Sequence, residues 1–130
     1  MTVLVAYIPR PEGQAALDKA IEIAKERRER LMVVNAGSGD NAADPSIADA
    51  IDVERVEKRL RESGIEAEFK QFVRGKGTVE EILDLVESLP ASLLVIGLRK
   101  RSSVGKLILG SVAQDILLSA RCPVLTVKAI

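Results

Sequence analysis

The residues best placed for chemistry are basic: Arg10, then Arg74 and Lys76, then Arg99, Lys100, Arg101 and Lys106, each group just after a short apolar run. Gly110-Ser111-Val112-Ala113-Gln114 follows them with the spacing of a helix start, Ser111 as cap and Gln114 as its reciprocal partner. A helix N-terminus presents unpaired amides and the positive end of a dipole, and a glycine beside it admits close backbone approach. Together these residues point to recognition of a phosphate group. The plain alternative is an ordinary cap among solvated loop charges, since every helix needs a cap.

Much other chemistry is excluded. The chain has no histidine and one cysteine, so it builds no Ser-His or Cys-His couple, no His-bearing metal site and no internal disulfide. Gly97 and the Gly105-Lys106 pair are too far apart for a P-loop, and Leu107 stands where that motif needs Ser or Thr. Ile8-Pro9-Arg10-Pro11 replaces the glycine turn of a dinucleotide site. Tyr7-Ile8 stands where a receiver domain needs an acidic cluster for its metal. Cys122, between Arg121 and Pro123, reads as a packing residue rather than a redox thiol, with no second cysteine to resolve it. Asp49, Asp52, Glu54 and Glu57 read as the solvated face of a helix.

The elements that must position the phosphate-binding residues alternate regularly. Apolar runs at Val3–Tyr7, Leu31–Asn35, Leu93–Ile96 and Pro123–Val127, with an alternating stretch over Ile65–Lys70, predict five strands. Helical spacing and boundary residues predict helices over Glu12–Arg30 and Pro45–Ser63, from Thr78 to before Pro90, and from Ser111 onward. Gly64 is the expected left-handed end of the second helix. Such alternation predicts one α/β domain over residues 1–130, a doubly wound parallel sheet in the order 3-2-1-4-5 with helices on both faces. In that order the chain reverses between strands one and four, and a ligand binds outside their carboxyl ends. The expected walls are Ala6 to Arg10, Ile96 to Ser103 and the Gly110-Ser111 turn.

The segment from Leu94 to Leu117, with Cys122 to Lys128, resembles the C-terminal signature of the universal stress protein family, and the likeness extends over the whole chain. The resemblance implies a Rossmann-like fold of the adenine nucleotide alpha hydrolase type. It also implies that ATP or another adenine nucleotide, with magnesium as companion ion, is the ligand to look for. Nucleotide-binding members carry G-x2-G-x9-G-[ST]; Gly97, Gly110 and Ser111 match it, and Lys100 replaces the second glycine. Such members also end strand one in an aspartate, where this chain has Tyr7, Ile8 and Pro9. The expected binding residues are Tyr7, Ile96, Gly97, Arg99, Lys100, Lys106, Gly110, Ser111 and Val112. The alternative is a scaffold that keeps the fold and binds no nucleotide.

Partners and location follow from charge and pattern. Nineteen basic and nineteen acidic residues give net charge zero, and aromatics are 2% of the chain, so nucleic acid is not an expected partner. The first residues carry no basic leader, and no apolar run approaches the roughly 20 residues of a membrane span, which makes a cytoplasmic protein the expectation. Val124, Leu125, Thr126 and Val127 form an apolar edge strand without proline or inward charge, best covered by a second copy. The family resemblance also implies a homodimer through this strand. With no histidine and no carboxylate expected at the crevice, binding or signalling is favoured over catalysis, with weak ATPase activity as the enzymatic alternative.

Overall fold

Alternation of side chains along the strands settles the layers. In the computed structural model, which describes residues 1–37, 47–73, 77–100, 107–108 and 110–129 and only the backbone of residues 99, 100, 107 and 108, strand β1 spans Thr2–Ala6. Val3 and Val5 face one side of the sheet and Leu4 the other, all three fully buried. Helices α1 (Pro11–Arg27) and α2 (Ala50–Ser63) cover the first side. Helices α3 (Thr78–Ser88) and α4 (Ser111–Ser119) cover the second. Strands β2 (Arg30–Gly37) and β4 (Ala91–Lys100) flank β1 and contribute to both cores, as strands buried on both faces must.

Strand β3 (Ala67–Val73) pairs with β2, and β6 (Val124–Lys128) with β4, all parallel. The parallel order β3-β2-β1-β4-β6 is the 3-2-1-4-5 arrangement expected from the sequence, β6 being the fifth parallel strand. A two-residue strand, β5 (Leu107–Ile108), adds an antiparallel partner for Arg99 and Lys100. It extends β4 as far as Lys100, over residues expected to form a loop.

Helix boundaries show which local signals prevailed. Pro11 opens α1 at its first position, where the missing N–H costs nothing. Ala16, Leu17, Ala20, Ile21 and Ala24 form its buried stripe. Gly64 closes α2 with φ of 76°, as its position suggested. The start of α2 differs from expectation: it begins at Ala50, capped by Asp49, and Asp49 and Asp52 exchange backbone and side-chain hydrogen bonds of 2.8 and 3.3 Å. Two of the four acids read as a solvated face thus form a capping box. Asp44-Pro45, the expected start, lies outside the described residues. Helices α3 and α4 begin at Thr78 and Ser111 as expected, but the cap positions fall one residue earlier, on Gly77 and Gly110, without side-chain cap bonds.

Among the described residues, no helix is long and apolar enough to cross a membrane.

Candidate functional site

Ala6 of β1 and Ile96 of β4 are register partners at the carboxyl ends of the two central strands, where the sheet reverses direction. A cavity of about 490 Å3 opens there, a size suited to a small ligand. Its walls are mostly aliphatic. Ala6, Val34, Ala36 and Ile96 come from the sheet, Ile82 from α3, and Val112, Ala113 and Ile116 from α4. The polar lining is sparse: Arg10, Glu12, Thr78 and Ser111, with the backbone of Gly97 and Gly110. Thr78 is already engaged, its hydroxyl donating to the Ala36 carbonyl at 3.1 Å.

The N-terminus of α4 forms one wall of the cavity. Ser111 is its first helical residue, and Gly110 precedes it in extended conformation. The first amides of a helix have no intrahelical acceptor, and no side chain caps them here. A Cβ built on Gly110 meets nothing within 4 Å among the described residues, so none of them demands glycine at that point. Gly97 is the opposite case. A Cβ there would lie 2.3 Å from the Glu12 carbonyl oxygen, and only glycine lets α1 approach β4 this closely.

Of the residues expected at the site, Tyr7, Ile96, Gly97, Gly110, Ser111 and Val112 line the cavity. Arg99 and Lys100 are described by backbone alone, at the β4 end that pairs with β5. Lys106 lies outside the described residues, as do Arg74, Lys76 and Arg101 from the expected basic rim, which leaves Arg10 as its described member. Tyr7 is also part of the core on the α1 side. Its ring follows Val3 and Val5 to the α1 side, lies edge-on to Phe69 at a centroid distance of 6.4 Å, and accepts a 2.8 Å hydrogen bond from Gln14 at its hydroxyl. Burial holds its phenol above the ordinary pKa of 10, with the Asp52 carboxylate adding to the effect. Tyr7 thus borders the cavity while its ring is packed and hydrogen-bonded on the α1 side, and Ile8, one residue on, lines the cavity as well.

Sequence reasoning missed Glu12, Thr78, Ile82 and Ile116 as wall residues, and it missed Asn35. Asn35 is fully buried at the end of β2. Its Nδ2 donates to the Tyr7 carbonyl at 2.9 Å, and its Oδ1 accepts from the Ala48 amide at 2.8 Å and from Gln71 Nε2 at 2.9 Å. Gln71 Nε2 also reaches the Ala48 carbonyl at 2.8 Å. This network ties the end of β1, the approach to α2 and the end of β3 beside the cavity. A polar residue closing the apolar run Leu31–Val34 was the available signal. Glu12 also overturns the expectation that the crevice lacks a carboxylate.

Cys122 packs against the α3/α4 core, and burial pushes its thiol pKa up, which suits the packing role expected for it. Among the described residues no three His, Cys, Asp or Glu side chains gather as a metal-holding group.

The sequence model of the universal stress protein family matches residues 1–128. The chain belongs to the universal stress protein family. A universal stress protein of Mycolicibacterium smegmatis is 46% identical over 126 residues, covering 97% of this chain and 96% of the relative. The solved structure of a universal stress protein from Archaeoglobus fulgidus superposes with a TM-score of 0.79 at 33% identity, covering 98% of this chain and 97% of that one. A structure of the universal stress protein from Archaeoglobus fulgidus in complex with dAMP gives a TM-score of 0.72 at 28% identity, covering 98% and 96%. This family membership accounts for the Rossmann-like sheet and for the G-x2-G-x9-G-[ST] residues Gly97, Gly110 and Ser111.

Proposed function

We propose that this universal stress protein binds an adenine nucleotide in the β1/β4 cavity and acts as a nucleotide-responsive regulatory module. The observation that carries the reading is the conjunction of an aliphatic cavity with the uncapped N-terminus of α4. The aliphatic walls suit a base and the free amides a phosphate, with Gly110 leaving room for the backbone to approach it. The Ser111 hydroxyl, engaged with no described residue, adds a donor at the same point. The complex of a relative with dAMP supports the adenine assignment. ATP with magnesium is the physiological form proposed; since no described carboxylate cluster holds the ion, it would arrive on the phosphates.

The test is ligand-induced stabilisation of the purified chain. A ligand at a hundred times its dissociation constant raises stability by about 2.7 kcal/mol. AMP or ATP with magnesium at millimolar concentration should therefore raise Tm, and Ser111→Ala should weaken the response. Absence of any shift, with no binding by calorimetry, would remove the nucleotide reading and favour the scaffold alternative.

The proposed signalling form is a homodimer paired through β6. This strand pairs with β4 on one side, and Val124, Leu125, Thr126 and Val127 are only partly buried in the single chain, an edge suited to antiparallel pairing with a second copy. Sedimentation at micromolar concentration should give twice the chain mass of 14.0 kDa. A monomer would exclude the pairing.

A further inference from the structure

Glu12 is an unusual member of the cavity wall. It is the second residue of α1, 8% exposed, and it carries the one carboxylate among the described lining residues. No hydrogen bond or ion pair joins it to any described side chain, and Arg10, in the same wall, is not within the 4.0 Å of an ion pair. No buried polar side-chain atom among the described residues is both sealed from solvent and unpartnered. The Glu12 oxygens therefore retain access to solvent, and Glu12 is one of the residues that line the cavity.

A carboxylate on a largely buried residue loses part of its hydration, which is costly when no protein partner replaces it. The dipole of α1 reduces that cost for an acid in the first turn, but it explains neither the burial nor the missing partner. The placement is fixed from two sides. Gly97 lets the Glu12 main chain press against β4, and a Cβ on Gly13 would lie 1.8 Å from the Ile8 carbonyl oxygen, so this turn has little freedom to withdraw. An acceptor-only group is thereby held at a wall whose other described residues are mainly aliphatic.

We infer that Glu12 recognises the sugar hydroxyls of the bound nucleotide, its carboxylate accepting from the ribose diol. The inference rests on the nucleotide reading of the cavity. Phosphates seated at the α4 N-terminus are anionic and would be repelled by a second anion, so the carboxylate faces the neutral part of the ligand. There, two adjacent O–H donors match the two oxygens of a carboxylate, and hydrogen bonds to an ionised acceptor are the strong ones.

The experiment compares AMP, its 2′,3′-dideoxy analogue and inosine monophosphate on the wild-type chain and on Glu12→Gln and Glu12→Ala, by calorimetry. A hydrogen bond to a charged group changes affinity by about tenfold or more. The wild type should bind AMP at least about tenfold tighter than the dideoxy analogue. Both variants should lose that preference while binding the dideoxy analogue about as well as the wild type, which also shows that they are folded. An AMP affinity and hydroxyl preference that survive in both variants would overturn the role of Glu12 alone. A preference for AMP over inosine monophosphate that disappears with Glu12 would assign the carboxylate to the base amine and overturn the hydroxyl assignment. Failure of the wild type to bind any of the three would overturn the nucleotide reading itself.

Discussion

Gly97 and Glu12 touch main chain to main chain: a Cβ at position 97 would lie 2.3 Å from the Glu12 carbonyl oxygen and 2.6 Å from its carbonyl carbon. The first glycine of the signature thus has a packing role before any ligand is considered. It seats the first turn of α1 on β4 and fixes the wall from which Glu12 lines the cavity.

Gly97→Ala should therefore destabilise the fold as well as disturb the cavity. The clash is with backbone, which cannot rotate away, and forced overpacking of this kind costs about 1–3 kcal/mol. Urea unfolding measures it through the midpoint at unchanged slope. A variant as stable as the wild type would mean that α1 does not sit against β4 this closely.

Gly110→Ala should separate ligand binding from folding. Gly110 has φ of −64° and ψ of 161°, open to any residue, and a Cβ there meets no described atom within 4 Å. The substitution should change stability by less than about 1 kcal/mol, because the entropy removed from the unfolded chain is offset by alanine's poorer fit as an N-cap. Nucleotide affinity should fall, because the added methyl intrudes where the backbone approaches a phosphate. A variant that loses well over about 1 kcal/mol, or binds nucleotide as the wild type does, would contradict this account of Gly110.

Asn35 and Gln71 should prove energetically coupled. Asn35→Ala strands the Ala48 amide and deprives Gln71 and the Tyr7 carbonyl of a partner, at roughly 1–3 kcal/mol for each polar group left buried without one. Gln71→Ala should cost less, since it is only partly buried. The double variant should lose less than the sum of the two, with a coupling energy of about 0.5–3 kcal/mol from paired denaturant curves. Strict additivity would show that the shared Asn35 oxygen binds neither group effectively.

The sheet order was legible because four apolar runs alternate with amphipathic helices, and that pattern admits few arrangements. The cavity followed from the order, since the reversal between β1 and β4 is a property of topology. Side-chain direction was less legible. Tyr7 ends an apolar run at the crevice and borders the cavity beside Ile8, yet alternation from Val3 and Val5 carries its ring into the α1-side core. The starts at Thr78 and Ser111 were legible but their capping was not: each follows a glycine in extended conformation that takes the cap position, so Thr78 and Ser111 are the first helical residues rather than the caps. Glu12 stayed hidden because an acid after a helix-opening proline is ordinary in sequence. Its burial depends on the contact with Gly97, 85 positions along the chain.

Tyr7 provides a prediction that the sequence makes easy to read, since the chain has one tyrosine. Burial raises its pKa above 10, the nearby Asp52 carboxylate acts in the same direction, and Arg55 opposes. Above pH 10 the unfolded chain releases the phenolic proton while the folded chain keeps it. The folded state then holds more protons, and its stability must fall as pH rises from about 10 to the folded pKa. Tyrosinate absorbance of the native protein should show a midpoint above 10. Tyr7→Phe loses the hydrogen bond from Gln14, about 1 kcal/mol, but also loses this titration. The stability advantage of the wild type over Tyr7→Phe should therefore be constant below pH 9 and shrink above pH 10. A midpoint at or below 10, or a gap that does not change with pH, would mean that the ring is solvated rather than packed in the α1-side core.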